Sequence, residues 1–245
     1  MSCWRHVRTN LKFAIENIDM SGDKTHILEF GTGSGRSITY INDLITKGSF
    51  DTRWKNMKLG NGYPEDKEII TIETDIQKSL FEVIGFDSHI GLPEDWWTPK
   101  NKKSEMNRST KGTMVSPKQH MGLSKKVKNR CLEVYKEENI TFFEGFFEDT
   151  IPRYKKIAKD IALLHIDCDI YSSTIEVFYN LNEFIVPGTI IVFDEWFYNY
   201  DEKYDDHEQK AFYEWVKDMD REFEFLDCKG MGKGFVEQKT VRIIK

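Results

Sequence analysis

His26-Ile27-Leu28-Glu29-Phe30-Gly31-Thr32-Gly33-Ser34-Gly35-Arg36-Ser37 begins as an apolar strand, breaks at three alternating glycines and runs on into a helical pattern. Glycines at that spacing suit a tight strand-to-helix turn, since they tolerate positive φ and let a ligand come close to the backbone. The helix that follows starts with unpaired N–H groups, which favour a polar ligand at its N-terminus. Arg36 stands where a dinucleotide-binding GxGxxG loop would have its third glycine, so the pattern is ExGxGxG instead. The leading carboxylate, Glu29, suits a ligand with a cationic amine better than a pyrophosphate.

Outward from this stretch, short apolar runs alternate with helix-period segments. His26–Phe30, Val83–Phe86, Ile140–Phe143, Ile161–Ile166 and Thr189–Phe193 read as buried strands. Ser172–Val186, stopped by Pro187-Gly188, and His207–Asp220 read as helices. Fully apolar strands separated by helices predict a parallel sheet covered on both faces. Phe223–Cys228 and Val241–Ile244, joined by a glycine-bearing loop, predict a terminal hairpin that adds one reversed strand. The expected class is therefore α/β, a doubly wound, Rossmann-like and mostly parallel sheet ending in an antiparallel hairpin strand.

The 245 residues fit a single domain. Two segments depart from the alternation: a polar insertion near 48–67, and a basic segment near 98–130. The second holds ten Lys/Arg against the single acid Glu105, in a chain whose formal charge is −6. It reads either as a solvated surface loop or as a mobile cover over a substrate cleft. The overall acidity makes nucleic acid an unexpected partner. Cys3, Cys131, Cys168 and Cys228 form no CxxC pair, which reads as reduced thiols. The first ten residues lack the apolar core of a signal peptide, and no run approaches the ~20 apolar residues of a membrane span. A cytoplasmic protein that does not enter membranes is expected, with a homodimer left open.

Two of the apolar runs end in paired acids. Leu164-His165-Ile166 leads to Asp167-Cys168-Asp169, and Ile191-Val192-Phe193 leads to Asp194-Glu195. A buried strand seldom finishes in charge unless the loop is solvated or something offsets the desolvation. In open α/β sheets ligands sit at the carboxyl ends of the strands, where an acid ending the second strand commonly bonds ribose hydroxyls. Asp87 and Glu73 both qualify, and periodicity does not choose between them.

Together, Glu29–Ser37, Gly85-Phe86-Asp87-Ser88-His89-Ile90-Gly91-Leu92-Pro93-Glu94, Glu144–Pro152, His165–Thr174 and Pro187–Glu195 resemble the class I S-adenosylmethionine-dependent methyltransferases of the macrocin O-methyltransferase type. That group includes the novobiocin and mycinamicin sugar methyltransferases. The resemblance implies that Glu29, Gly31, Gly33, Gly35 and Ser37 surround the methionine part of S-adenosylmethionine, that Asp87 and Ser88 meet the ribose, and that Phe146 and Phe147 lie near the adenine. It further implies Asp167, Asp194 and Glu195 as ligands of Mg²⁺ or a similar divalent cation, with Asp167 also touching the cofactor and Asp169 acting as general base. Glu195 departs from the family's usual second Asp, and the longer side chain still offers a hard oxygen. Carboxylate ligands without a nearby Cys–His set favour Mg²⁺ or Ca²⁺ over zinc. The implied reaction is methyl transfer to a hydroxyl of a small molecule, a sugar or glycoside, made more acidic by the cation.

Two alternatives differ in kind: a catechol-type O-methyltransferase, and a non-catalytic module of the same fold that binds a polyanion through 98–130. Among single residues, His165 is expected to be a satisfied core histidine, and His207 a capping or surface residue. Trp96-Trp97 and Trp196–Tyr200 suit either core packing or stacking on a substrate ring.

Overall fold

The computed structural model describes residues 3–19, 23–33, 35–51, 71–73, 81–99, 106–112, 139–196, 207–226 and 238–245. In chain order its first half comprises α1 (Cys3–Glu16), β1 (His26–Phe30), α2 (Arg36–Lys47), β2 (Ser49–Asp51), β3 (Thr71–Glu73), β4 (Glu82–Asp87), β5 (Trp96–Pro99) and β6 (Met106–Ser109). The second half comprises β7 (Ile140–Glu144), α3 (Phe147–Tyr154), β8 (Ile161–Ile166), α4 (Tyr171–Leu181), β9 (Ile190–Phe193), α5 (Glu208–Asp218), β10 (Phe223–Phe225) and β11 (Lys239–Ile243).

Seven strands form one sheet in the order β10-β11-β9-β8-β1-β4-β7. β7, β4, β1, β8 and β9 are parallel neighbours, and β11 runs antiparallel to both β9 and β10. This is the doubly wound α/β class with one reversed strand that the apolar runs predict. Alternation along each strand divides the core in two. Leu28, Phe30, Ile84, Phe86, Leu164 and Phe193 pack on one face with Ile151, Phe178, Phe212 and Trp215 of α3, α4 and α5. Ile27, Val83, Leu163 and Val192 pack on the other with Leu11 and Ile15 of α1 and Ile41 and Leu44 of α2. Register also aligns a row of rings: Phe30 pairs with Phe86 and Phe86 with Phe143, and the rings stack at 4.2 Å and 5.2 Å. Such pairs add about 0.5–1.5 kcal/mol each beyond burial.

From β1 the chain moves outward through β4 to β7, then returns to β8 on the other side of β1 and continues outward to β9. The carboxyl ends of β1 and β8 therefore flank the point where the winding reverses, the usual place for a ligand crevice. Every candidate acid at a strand end except Glu73 belongs to this sheet.

Three expectations shift. The predicted helix at 172–186 stops at Leu181, because Arg221 takes the Asn182 carbonyl and Trp215 donates to the Asn182 side chain (3.0 Å). The basic segment, expected as a surface loop or a mobile cover, begins in a two-stranded ribbon: Met106–Ser109 pairs antiparallel with Trp96–Pro99, and most of the remainder of 98–130 lies outside the described residues. The polar insertion is flanked by the β2–β3 ribbon, with 52–70 outside the described residues. Among the described residues no helix is long and apolar enough to cross a membrane.

Candidate active site

The loop after β1 is shaped by backbone contacts that only glycine permits at its first position. Gly31 has φ 94°, and a Cβ built there would lie 1.7 Å from the Asp167 carbonyl oxygen. Its N–H donates to Phe86 O (2.9 Å), and Asp167 N–H donates to Phe30 O (2.9 Å), so the ends of β1, β4 and β8 are tied together. Two residues on, Gly33 N–H donates to the Asp87 carboxylate (2.6 Å), whose other oxygen accepts from His89 N–H (2.6 Å). Asp87 is thus the acid beside the glycine loop. Glu73 ends β3, in a separate two-stranded ribbon.

Glu29 points down rather than into the crevice. It is 1% exposed; one oxygen accepts from Ser37 Oγ (2.9 Å) and the other pairs with His165 Nδ1 (3.0 Å). His165 is accordingly a core histidine packed under the loop, but not a fully satisfied one: its Nε2 is buried without a hydrogen-bond partner. Gly35, at φ 77°, caps the start of α2 behind the wall. These two members of the predicted ligand-binding set stand behind a cavity of about 740 Å³ that Gly31, Gly33, Ser37, Asp87, Ser88, Phe146, Phe147, Asp167, Asp169, Asp194 and Glu195 do line. The Ser88 hydroxyl is engaged in the adjacent turn, donating to Gly91 O (2.9 Å). Phe146 precedes α3, and the Phe147 ring also packs edge-on against Phe30 at 5.0 Å.

The paired acids meet because β8 and β9 are parallel neighbours, with Ile166 beside Phe193. Asp194 N–H donates to Ile166 O (2.9 Å), which fixes the end of β9 against β8. One oxygen each of Asp167, Asp194 and Glu195 lies within 4.8 Å of the others, a set that could hold a metal ion. Burial first, and then the neighbouring acids, push the carboxyls of Asp167 and Glu195 well above the usual range. Asp194 is also raised by burial, against the opposing pull of His165 and of Gln238, whose amide donates to it. Glu195 Oε2 is buried without a hydrogen-bond partner. Crowded hard oxygens with an unpaired atom among them fit a divalent cation such as Mg²⁺ or Ca²⁺.

Asp169 stands apart from that trio. It is a non-glycine residue at φ 67°, centred in a three-residue turn closed by Ile170 N–H to Cys168 O (2.7 Å). Such turns are rare and strained, and they persist only where the surroundings enforce them. The turn leaves the carboxyl on the cavity wall, where burial, then Asp194 and Asp87, push it up to about 7.

Two contributors escaped the sequence reading. Glu208, fully buried in the first turn of α5, accepts from Glu195 N–H (3.1 Å). Gln238, just before β11, reaches Asp194. An acid opening a helix reads as a dipole partner, and a lone Gln carries no signal at all. His207 neither caps α5 with its side chain nor simply faces water: its Nε2 meets Trp97 O (2.9 Å), joining α5 to β5. Trp96 and Trp196 are buried at 7% and 2%, whereas Trp97 is half-exposed; 197–200 lies outside the described residues. From the basic segment, Lys111 lines the cavity, its N–H held by Asp95 (2.8 Å).

Comparison with known proteins adds a family and a fold. The family model described as Macrocin-O-methyltransferase (TylF) matches residues 75–222, more than half of the chain. No curated protein sequence matches. A solved structure named O-methyltransferase NovP is 14% identical with a TM-score of 0.55, covering 98% of this chain and 79% of its own. Another, named CalS11, calicheamicin methyltransferase, is 16% identical with a TM-score of 0.53, covering 96% and 76%. Apo CalS11, named a TDP-rhamnose 3'-O-methyltransferase, is 17% identical with a TM-score of 0.51, covering 96% and 77%. At these identities the structural likeness concerns the fold.

Proposed function

The chain belongs to the macrocin O-methyltransferase family, and from that membership we propose that it transfers a methyl group from S-adenosylmethionine to a hydroxyl of a small molecule, a sugar or glycoside, with the help of a divalent cation. The observation that carries the reading is the convergence of Asp167, Asp194 and Glu195 beside the glycine loop, with Asp169 on the same cavity wall. A sugar acceptor is further supported by the name of one structure sharing the fold, a TDP-rhamnose 3'-O-methyltransferase.

In this reading Gly31 and Gly33 offer close backbone approach to the cofactor, and Asp87, already oriented by Gly33 and His89, accepts from the ribose hydroxyls. Phe146 and Phe147 flank the adenine. Glu29 acts from below, holding Ser37 and His165 and so the floor of the loop. Asp167, Asp194 and Glu195 hold the cation, which when bound makes the acceptor hydroxyl more acidic. Asp169 accepts the hydroxyl proton as the oxygen takes the methyl and S-adenosylhomocysteine leaves. The enclosing wall contributes mainly by positioning the two reactants in line.

The test is transfer from labelled S-adenosylmethionine to sugars, glycosides and catechols, with and without Mg²⁺. Methylation of a sugar hydroxyl that needs Mg²⁺ is expected; turnover of catechols alone would overturn the acceptor. Independently, S-adenosylhomocysteine at ~100 times its Kd should stabilise the fold by roughly 2.7 kcal/mol. Gly31→Ala should lose that ligand-induced shift, because its Cβ meets the Asp167 backbone at 1.7 Å. The positive φ alone should cost about 1–3 kcal/mol. A normal melting shift in Gly31→Ala would remove this loop from the binding site.

A further inference from the structure

Asp167, Asp169, Asp194 and Glu195 line the cavity, and the reading above leaves Glu208, hydrogen-bonded to the main chain of Glu195, without a task. Its residue is 0% exposed, so it is no ordinary helix-opening acid facing water. Oε2 accepts from the Glu195 backbone N–H (3.1 Å), whereas Oε1 is buried without a hydrogen-bond partner. Glu208 is therefore joined to the loop that carries Asp194 and Glu195. It is not among the three whose oxygens converge within 4.8 Å. An unpaired, fully buried carboxylate oxygen is costly unless positive charge or a donor faces it.

We infer that Glu208 is a positioning residue of the cation site: one oxygen pins the main chain of Glu195, and the other supplies negative charge and an acceptor behind the three ligands. The inference rests on the cation reading. It also accounts together for two buried carboxylate oxygens without a hydrogen-bond partner, Glu208 Oε1 and Glu195 Oε2, because the residues that carry them are joined through the Glu195 N–H. Groups behind metal ligands typically contribute about 10–100-fold in metal affinity.

The experiment is a Mn²⁺ titration of the metal-free full chain in the presence of S-adenosylhomocysteine, followed by the electron paramagnetic resonance signal of free Mn²⁺. Glu208→Gln keeps the shape of the side chain and removes its charge. It should weaken Mn²⁺ binding by about 10–100-fold, leave S-adenosylhomocysteine affinity unchanged, and give a metal-free Tm no lower than wild type. That combination separates cation positioning from a purely structural role, which would lower Tm and leave Mn²⁺ affinity alone. If Glu208→Gln does not fold, Glu208→Asp carries the same test, since it withdraws the carboxylate by one methylene from the Glu195 N–H. Unchanged Mn²⁺ affinity in the folded variant would overturn the inference and leave the cation reading standing. A wild-type protein that binds no Mn²⁺ would overturn that reading, and the inference with it.

Discussion

Asp169→Asn should lower kcat by about 10²–10⁴-fold, the usual range for removing a general base, while cofactor and cation binding stay near wild type. The substitution isolates proton acceptance unusually well. Asparagine is one of the few residues that tolerates a left-handed backbone, so the turn at φ 67° can be kept. The amide has nearly the same volume and cannot take a proton from the acceptor. The proposed base role fits a carboxyl that burial, and then Asp194 and Asp87, push up to about 7, since general bases work best with a pKa near the working pH. Single-turnover kinetics would locate the loss in the chemical step. Wild-type kcat in Asp169→Asn would remove the residue from the chemistry.

Chelation should abolish transfer without unfolding the chain, and Asp194→Asn should imitate it in part. The carboxylates of Asp167, Asp194 and Glu195 lie close together and partly buried, so each disfavours the ionised form of its neighbours and a cation among them would relieve that repulsion. Asparagine at 194 retains an oxygen for the Gln238 amide, so the end of β9 should hold its place. What it loses is a charged ligand, and cation affinity should fall by at least the ~10–100-fold typical of outer partners. Raising Mg²⁺ should then recover part of the turnover of Asp194→Asn and none of that of Asp169→Asn. The two variants would differ in kind as well as in size. Full activity in EDTA would sink the cation mechanism.

Much of this molecule is legible in local pattern. Strands β1 and β8 fall where the apolar runs place them, Pro187-Gly188 separates α4 from β9, and the hairpin of β10 and β11 closes the sheet. These features rest on side-chain period and on turn chemistry, which act over a few residues and leave their mark in the sequence. The acids at 167, 169, 194 and 195 were visible for the same reason, as charge at the ends of buried runs. Which of two equivalent acids serves the crevice was not: Asp87 and Glu73 both end strand-like runs, and only the pairing of β4 with β1 separates them. The same holds for Glu29, whose inward turn depends on His165 lying next to it in β8. Glu208 and Gln238 reach the acids from α5 and from the start of β11, through packing that no local period encodes. A strand-end side chain takes its direction from whichever neighbours the sheet order brings beside it, and that order is a property of the folded whole.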